Sequence, residues 1–374
     1  MKKARLAVIG CGGLAQSQHI PNLFKIDNAE LTALCDMRQK VLEEVGKFYG
    51  IERLEQDHKK ILASPDIDGV LIVTREDSHV PLTLEALEAG KHVYVEKPLA
   101  ETVEQCSKVV DAQKKSGKIV AVGMNRRMAP AYQLAKKLLW QNGGPQNMFY
   151  RIADSYSLDW GKVFGEGQRI VHEVCHIFDI LRFFANSEIK SIHRYSSRPD
   201  DETISMQFES GAVATILSSG YVNSEFPKEH FEAIAQEGAL TVDDFAELNQ
   251  YSLSDKIPEK VTFAGHSHPK HDLLHEYLLK DLGAEGMKAV RRTSWRAVKR
   301  LRQLDKEGNT GCAEYTELKK FESKMPLRNY FINKGWCEAV EDFAEAIITG
   351  RDFAGAKVYD GLQAAKITQM VIES

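Results

Sequence analysis

The sequence predicts a two-domain α/β protein: a doubly wound parallel sheet, then a domain with an open antiparallel sheet flanked by helices. The first observation is that strand and helix patterns alternate through residues 1–125, as crossovers between parallel strands require. The second is that strand-length segments follow one another after residue 145 with only turns between them. At 374 residues the chain is long enough for two substantial cores. We therefore expect a first domain over 1–125 and a second over 126–374.

The first domain is predicted to contain five strands separated by four helices. In chain order, the strands are RLAVIGCG, ELTALCD, GVLIVT, HVYVEKP and IVAVGMN. The helices between them are LAQSQHIPNLFKI, RQKVLEEVGKFYG, VPLTLEALEAG and TVEQCSKVVDAQKKSG. Because connections between parallel strands are almost always right-handed, this order places helices on both faces of the sheet.

The second domain is predicted mainly from short strands: QNMFYRIADSY, TISMQFES, AVATILSSGY, HFEAIAQE and ALTVDDF. The turn sequences ESGA and QEGA separate two of the neighbouring pairs, which indicates antiparallel strands. The main helix of this half is QRIVHEVCHIFDILRFF (168–184). Residues 266–328 are predicted to form a charged helical insertion, and two helices within 335–374 close the chain.

The composition favours an ordinary globular protein, with 43% hydrophobic and 27% charged residues. A formal net charge of −4 argues against a nucleic-acid partner. No stretch reaches the ~18 consecutive apolar residues of a membrane-spanning helix, so we expect no membrane partner. The six cysteines are scattered without a C-x-x-C pair, which favours a reduced protein of the cytoplasm.

Residues 10–15 carry the pattern of a dinucleotide site. They read Gly10-Cys11-Gly12-Gly13-Leu14-Ala15, which is G-x-G-x-x-A where the first strand meets the first helix. The first glycine permits a tight turn, the second lets the backbone approach a pyrophosphate, and the small last residue lets helix and strand pack closely. The second strand ends in Asp36, whose carboxylate can accept hydrogen bonds from a ribose and repels a 2′-phosphate. NAD bound to a Rossmann domain is therefore favoured, and NADP is the alternative because Arg38 can pair with that phosphate.

Residues 70–100, VLIVTREDSHVPLTLEALEAGKHVYVEKPLA, resemble a known family of nicotinamide enzymes, the glucose-fructose oxidoreductase / inositol dehydrogenase / MocA-like (Gfo/Idh/MocA) family. The family pattern A-T-P-x-x-x-H appears here as VTREDSH, and the family's E-K-P is present as Glu96-Lys97-Pro98. The segments NRRMAPAY (125–132) and DGLQAAKITQMVIES also look like family segments. The resemblance covers nearly the whole chain apart from 266–328.

This resemblance implies where the nicotinamide end of the cofactor would bind. Its contacts would come from the ends of the later strands and the loops after them: Thr74, His79, Glu96, Lys97, Asn125 and Arg126. Lys97 would lie beside the nicotinamide and the reacting hydroxyl, where a lysine can polarise a carbonyl or relay a proton. For His79 the alternative is that it only begins the next helix. For Arg126 the alternative is an ion pair between the domains.

The helix at 168–184 contains VHEVCH, which spells H-E-x-x-H and raises the alternative of a zinc hydrolase. A zinc peptidase also needs a third ligand and a substrate cleft, and neither is visible here, so we expect no metal. The family pattern in this helix is D-x-G-x-H-x-x-D. Its histidine aligns with His176 and its last aspartate with Asp179, but its first aspartate falls on His172, which is a departure. The chain is similar here to a subgroup that reads G-E-x-C-H-F-x-D and later carries FPKE and DDF, both of which recur.

His172, His176 and Asp179 stand at positions i, i+4 and i+7, which a regular helix places on one face. With Lys97 opposite, we expect His176 to act as acid and base toward a hydroxyl whose carbon exchanges hydride with the nicotinamide. His172 is expected to bind substrate hydroxyls or relay a proton, or else only to pack. Asp179 would contact substrate, or it would only fix His176 or bond to the backbone. Aromatic rings stack on sugars and arginine binds hydroxyls or a carboxylate, so further substrate contacts are expected from Tyr156, Trp160 and Arg169. For each of these three the alternative is ordinary sheet or loop structure.

Together these residues predict an NAD(P)-dependent oxidoreductase that acts on a secondary alcohol of a sugar, cyclitol or glycoside. Two alternatives use the same fold. One is a glycoside-cleaving enzyme that oxidises the sugar transiently and then eliminates; the other is a regulator that binds a dinucleotide without catalysis. By resemblance, one face of the open sheet would cover the active site, and the other would form the contact of a homo-oligomer, either a dimer or a tetramer.

Overall fold

The computed structural model describes residues 2–156, 165, 167–222, 226–263, 300–301, 303–324 and 332–374. Trp160 and most of the 266–328 insertion lie outside the described residues. Over the part that is described, the chain forms one six-stranded and one eight-stranded sheet. No helix within those ranges combines the length and the apolar character needed to cross a membrane.

The first sheet consists of six strands: β1 (Ala4–Ile9), β2 (Ala29–Cys35), β3 (Leu54–Glu55), β4 (Gly69–Ile72), β5 (His92–Val95) and β6 (Val120–Val122). They are parallel throughout, in the order β3-β2-β1-β4-β5-β6. The predicted doubly wound sheet is therefore confirmed, with one additional short strand, β3. The strand order reverses between β1 and β4, and in sheets of this kind ligands bind in the crevice at that point.

Helices connect these strands. They are α1 (Ile20–Leu23), which continues a wide π-type turn over Ala15–His19, α2 (Gln39–Tyr49), α3 (His58–Leu62), α4 (His79–Glu88) and α5 (Val103–Ser116). The sequence determines several of their ends. For example, Thr102 and Gln105 form a capping box at the start of α5, and Gly50 ends α2 in the left-handed conformation. Next along the chain, α6 (Pro130–Gln141) leads into the second sheet.

The second sheet consists of eight strands: β7 (Asn147–Ala153), β8 (Ile189–Arg198), β9 (Asp201–Phe208), β10 (Val213–Ser219), β11 (Glu229–Ile234), β12 (Ala239–Asp243), β13 (Glu247–Tyr251) and β14 (Lys260–Thr262). Their order is β14-β13-β12-β11-β7-β10-β9-β8. The antiparallel prediction is right for every neighbouring pair except β7 and β10, which run parallel, so the sheet is mixed. A helix separates β7 from β8, and this crossover lets the last strand of the β8–β9–β10 meander return alongside β7 in the same direction.

That helix is α7 (Cys175–Ala185), which begins with a wide π-type turn over Ile170–Val174. In this turn the N–H of Cys175 donates to the carbonyl of Ile170, five residues earlier. Phe178 and Phe184 pack into the core under the second sheet. The predicted helix is therefore present, but it is not regular where VHEVCH lies, and such wide turns often occur at functional sites.

After the second sheet, the helices with full bounds in the described part of the chain are α8 (Ala313–Lys324), α9 (Trp336–Thr349) and α10 (Val358–Glu373). Val340 and Phe343 of α9 lie in one hydrophobic cluster with Leu6 of β1. Val358 of α10 lies in another cluster with Val122 of β6. Ile367 and Val371 of α10 also lie in the cluster under the second sheet. We therefore propose that α9 belongs with 1–125 in the first domain, whereas α10 packs against both domains.

Candidate active site

A glycine-rich turn follows β1 at the point where the strand order reverses. Gly10 has a φ of +96°, and a Cβ added there would lie 2.8 Å from the carbonyl carbon of Val73, so this position requires glycine. At Gly12 and Gly13, in contrast, an added Cβ would meet no atom within 4 Å. Open space beside the backbone N–H groups that start a helix is what a pyrophosphate needs. These three glycines, which we call the glycine cradle, therefore fit a dinucleotide.

Valine at position 12 is expected to weaken NADH binding without destabilising the fold. Its side chain would enter the open part of the cradle and displace the pyrophosphate from the helix start, which should cost at least about tenfold in affinity. Fluorescence titration with NADH measures this affinity, and thermal unfolding reports on the fold. Gly311→Val is the matched control, because an added Cβ at Gly311 also meets no atom within 4 Å. Equal NADH affinity in the two variants would place the pyrophosphate elsewhere.

Asp36, just after the end of β2, is held beside the glycine cradle. Its Oδ2 accepts the N–H of Cys11 at 2.8 Å, and its Oδ1 accepts the N–H of Arg38 at 2.9 Å. The Arg38 guanidinium also donates to both carboxylate oxygens at 3.0 Å. Partial burial opposes the charge, but these hydrogen bonds from Arg38 and Cys11 lower the pKa of Asp36. The carboxylate is therefore charged and lies beside the glycine cradle. Of the other cradle residues, Ala15 packs closely in the core, and Leu14 is half-buried.

Glu96 is buried and is bonded to protein groups. Its Oε1 lies 2.7 Å from Nε2 of His19, and its Oε2 accepts the N–H of Lys97 at 3.2 Å. A Cβ at Gly123 would lie 2.7 Å from the same carboxylate. Glu96 thus helps to hold the backbone of Lys97 in place, and its contact with the cofactor stays a prediction. No local motif marks His19, which lies among polar and apolar residues of the predicted first helix, LAQSQHIPNLFKI.

His79 is also buried, and its ring connects the loops that follow β4 and β5. Its Nδ1 lies 2.7 Å from the carbonyl of Pro98, and its Nε2 lies 3.2 Å from the carbonyl of Thr74. Both ring nitrogens thus face protein groups, which favours a structural role at the start of α4 over a cofactor contact. Thr74 itself lies beside Gly10, at the edge of the glycine cradle.

Asn125 and Arg126 follow β6 and are both buried. The Asn125 amide donates to the carbonyl of Lys334 at 2.6 Å, whereas its Oδ1 has no partner among the described residues. Arg126 donates from Nε and Nη2 to the two carboxylate oxygens of Glu229, at 2.7 and 2.9 Å. The structure therefore shows the alternative expected for Arg126, an ion pair from the end of the first sheet to β11 in the second.

Lys97 and the VHEVCH segment meet, as the sequence predicts. The Nζ of Lys97 donates to the carbonyl of His172 at 2.5 Å, across the junction of the two domains. His176 is almost fully buried, and its Nδ1 has no partner in the part of the chain that the structure describes. Burial, together with Arg126 and Lys97, keeps the pKa of His176 well below its usual value. Burial and Lys97 also lower the pKa of His172. Both rings are therefore neutral at neutral pH.

Asp179 does not bond to His176. Its two oxygens accept from Nη2 and Nε of Arg127, at 2.6 and 2.8 Å, and Arg127 also bonds to Asp360 of α10 at 2.8 Å. Asp179 is fully buried, so the expected contact with substrate is corrected to an ion pair that ties α7 to α10. The expectation assumed a regular helix that places His172, His176 and Asp179 on one face. It could not include Arg127, the arginine that pairs with Asp179, because Arg127 lies 52 positions away in sequence.

Glu173, the glutamate of H-E-x-x-H, is also paired. Its Oε2 lies 2.9 Å from Nζ of Lys228, which lies 2.7 Å from Asp154 as well. In a zinc peptidase this glutamate would be the general base and would face the metal-bound water. Within the described ranges, no three His, Cys, Asp or Glu side chains are grouped so as to hold a metal ion. The pairing of Glu173 with Lys228 therefore does not support the role that a zinc hydrolase would require of this glutamate.

Two of the three remaining predicted substrate contacts, Arg169 and Tyr156, are buried in the structure. Arg169 is fully buried: its backbone N–H donates to Asp200, and its Nη2 donates to the carbonyl of Ile152 at 2.9 Å. Its guanidinium lies 5.8 Å from the ring centre of Tyr156, which is also buried. Arg169 is thus enclosed by protein groups, and its contact with substrate stays a prediction. Trp160 lies outside the described residues.

Comparisons with known proteins agree with this architecture. Residues 4–124 match the model of an oxidoreductase family with an NAD-binding Rossmann fold, GFO_IDH_MocA. The chain is 30% identical over 234 residues to scyllo-inositol 2-dehydrogenase (NAD(+)) of Bacillus subtilis (strain 168), which covers 58% of this chain and 67% of that protein. It is 28% identical over 260 residues to inositol 2-dehydrogenase/D-chiro-inositol 3-dehydrogenase of Shouchella clausii (strain KSM-K16), covering 64% and 72%.

A solved structure extends the likeness over the whole chain. The scyllo-inositol dehydrogenase of Lactobacillus casei, with bound cofactor NAD(H) and scyllo-inositol, superposes with a TM-score of 0.69 at 18% identity, covering 100% of this chain and 96% of that one. At that identity the likeness shows the fold. Fold, glycine cradle and family model together define an NAD-binding oxidoreductase of the Rossmann class. The chain belongs to the Gfo/Idh/MocA family, which confirms the family, the cofactor and the enzyme class that the sequence predicts.

Proposed function

We propose that this oxidoreductase transfers hydride between NAD and a secondary alcohol of a cyclitol or a sugar. The observation that carries the proposal is the contact between Lys97 Nζ and the carbonyl of His172 at 2.5 Å. It brings the lysine after β5 to the helical turn that precedes His176, where the two domains meet. The names of the relatives support the substrate class, because two of them are inositol dehydrogenases.

In this proposal the chain's own residues bind the cofactor and manage the proton. Gly12 and Gly13 bind the pyrophosphate and Asp36 binds the ribose. Asn125 Oδ1 accepts a hydrogen bond from the carboxamide of the nicotinamide. Bound NAD supplies the hydride acceptor. The open cradle and the unpaired buried oxygen of Asn125 both fit such a ligand.

Lys97 and His176 have different roles at the substrate oxygen: Lys97 donates a hydrogen bond to it, and His176 accepts its proton. An ammonium has three N–H donors, and only one is needed for His172, so Lys97 Nζ can also donate to the substrate oxygen and hold it in place. The neutral imidazole of His176 accepts the hydroxyl proton as the carbonyl forms. His172, also neutral, offers its ring to a second hydroxyl of the substrate. A carbon that loses hydride while its oxygen loses a proton gives a ketone.

We also propose that a second copy of the chain covers the outer face of the second sheet, and that the protein works in the cytoplasm. Val213, Leu217 and Ile234 lie on that face and are 38%, 40% and 46% exposed, unusually high for apolar side chains of a central sheet region. Six unpaired cysteines suit a reducing compartment. Analytical ultracentrifugation over a concentration series tests the oligomer.

The test of the reaction is absorbance at the reduced-nicotinamide band, with NAD and then NADP, against a panel of inositols, sugars and glycosides. We expect NADH to accumulate with a cyclitol or sugar, and less NADPH than NADH because of Asp36. Product analysis runs on the same samples. Aglycone release without net NADH would establish the oxidation-elimination alternative instead. Tight NADH binding without turnover of any compound would favour a dinucleotide-binding regulator.

A further inference from the structure

A closed ring of polar contacts joins three segments of the chain next to the candidate active site. Glu229 Oε1 accepts from Lys334 Nζ at 2.8 Å, and the carbonyl of Lys334 accepts from the amide of Asn125 at 2.6 Å. Arg126, the next residue, closes the ring by donating from two nitrogens to Glu229. The ring contains the end of the first sheet, the start of β11, and the segment before α9.

The members of this ring are buried, with exposed fractions of 0% for Glu229, 4% for Arg126 and 6% for Lys334. Every oxygen position of the carboxylate is used, since Oε2 also accepts from the hydroxyl of Tyr150 at 2.7 Å. Burial opposes ionisation, but Arg126 and Lys334 hold the pKa of Glu229 well below its usual value. A buried ion group of this kind stabilises a fold poorly compared with apolar packing, so its value lies in fixing geometry.

The geometry that the ring fixes is that of Asn125. Its amide nitrogen is committed to Lys334, which leaves Oδ1 as the buried acceptor without a partner in the described residues. The backbones of Gly335 and Asn125 approach each other closely: Gly335 has a φ of +85°, and an added Cβ there would lie 2.5 Å from the carbonyl oxygen of Asn125. Removing the Glu229 charge would release Arg126 and Lys334 together, one on each side of Asn125.

We propose that Glu229 is a positioning residue for the nicotinamide end of the cofactor, acting through Arg126 and Lys334 on Asn125. This inference rests on the proposed function, since it assumes that Asn125 Oδ1 accepts from the carboxamide. Glu229 touches neither cofactor nor substrate in this scheme. It lies in the FPKE motif, whose lysine, Lys228, pairs with Glu173 on the other side of the site.

The test compares two ligands that differ only at the nicotinamide end, NADH and ADP-ribose. In Glu229→Gln we expect NADH affinity to fall about three- to tenfold, which corresponds to one hydrogen bond, while ADP-ribose affinity stays unchanged. A general loosening of the fold would weaken both ligands alike. Glu232→Gln is the matched control, because Glu232 lies on the same strand but is exposed, and neither affinity should change.

A second variant is needed because Glu229→Gln alone leaves two buried cations, Arg126 and Lys334, without their anion and could unfold the protein. Glu229→Gln combined with Lys334→Met restores the original net charge but leaves the ring open, so the selective loss of NADH affinity should persist. Equal losses for the two ligands, or no loss for either, would overturn the positioning role and leave the proposed function intact. A wild-type protein that binds neither ligand would overturn the proposed function, and this inference with it.

Discussion

In Lys97→Ala we expect turnover to fall by about 10²–10⁴-fold or more, while the affinity for NADH stays unchanged. Nζ of Lys97 lies at the domain junction, 2.5 Å from the carbonyl of His172, and has further donors for the substrate oxygen. The truncation removes those donors but leaves the glycine cradle and Asp36 unchanged. Steady-state kinetics with the substrate found in the panel, together with NADH fluorescence titration, separates the two effects.

Two controls sharpen the Lys97 experiment. Lys108→Ala makes the same truncation on α5, where the lysine is exposed and pairs with Glu104, and it should behave like the wild type. Lys97→Met keeps most of the side-chain length, so a defect in both Lys97 variants identifies the ammonium as the active part. Turnover within about twofold of the wild type in Lys97→Ala would remove this residue from the mechanism.

The residues that the sequence placed correctly are those whose position depends on strand ends. The carboxyl ends of parallel strands meet at one edge of a sheet, so the glycine cradle after β1, Asp36 after β2 and Lys97 after β5 follow from the order of the elements. The strand that precedes each of these residues in the chain determines its position in the fold. The same logic brought Lys97 toward the helix of His176, and the structure contains that contact.

Asp179 was misplaced, and for Arg126 an ion pair between the domains was only the alternative, because the partners of both residues are distant in the chain. Asp179 faces Arg127, and Arg126 faces Glu229, which is 103 positions away. Neither partner is marked by a spacing, because an ion pair between domains depends on how two sheets pack and not on a local period. Burial was also hidden: Arg169 resembles a surface arginine in sequence, yet it is fully enclosed.

Elements were missed for local reasons as well. The two residues of β3 are too few to show an alternation. β8 is half-buried or exposed at all but one of its positions, so its sequence lacks the apolar-polar alternation that marked its neighbours. The parallel pairing of β7 with β10 depends on the crossover through α7, which strand patterns alone do not reveal.

His176→Gln is expected to lower turnover by about 10²–10⁴-fold, again without loss of NADH affinity, because the amide keeps much of the shape of the imidazole but cannot accept the hydroxyl proton. His193→Gln is the matched control: His193 lies on β8 and is exposed, so the same substitution there should leave the kinetics unchanged. His172→Gln should lower turnover less than His176→Gln does, since His172 is assigned to binding substrate hydroxyls and not to the proton transfer.

The pH dependence gives the more specific test of His176. Burial, then Arg126 and Lys97, lowers the pKa of His176 well below the ordinary histidine value of 6.5. Only the neutral ring can act as a base, so alcohol oxidation should be independent of pH above that pKa and should fall as the pH drops through it. We therefore expect kcat/KM to stay level as the pH is lowered past 6.5 and to decline only in more acidic buffer. In His176→Gln the residual activity should lose that decline. If the decline persists there and disappears in His172→Gln, the proton transfer belongs to His172.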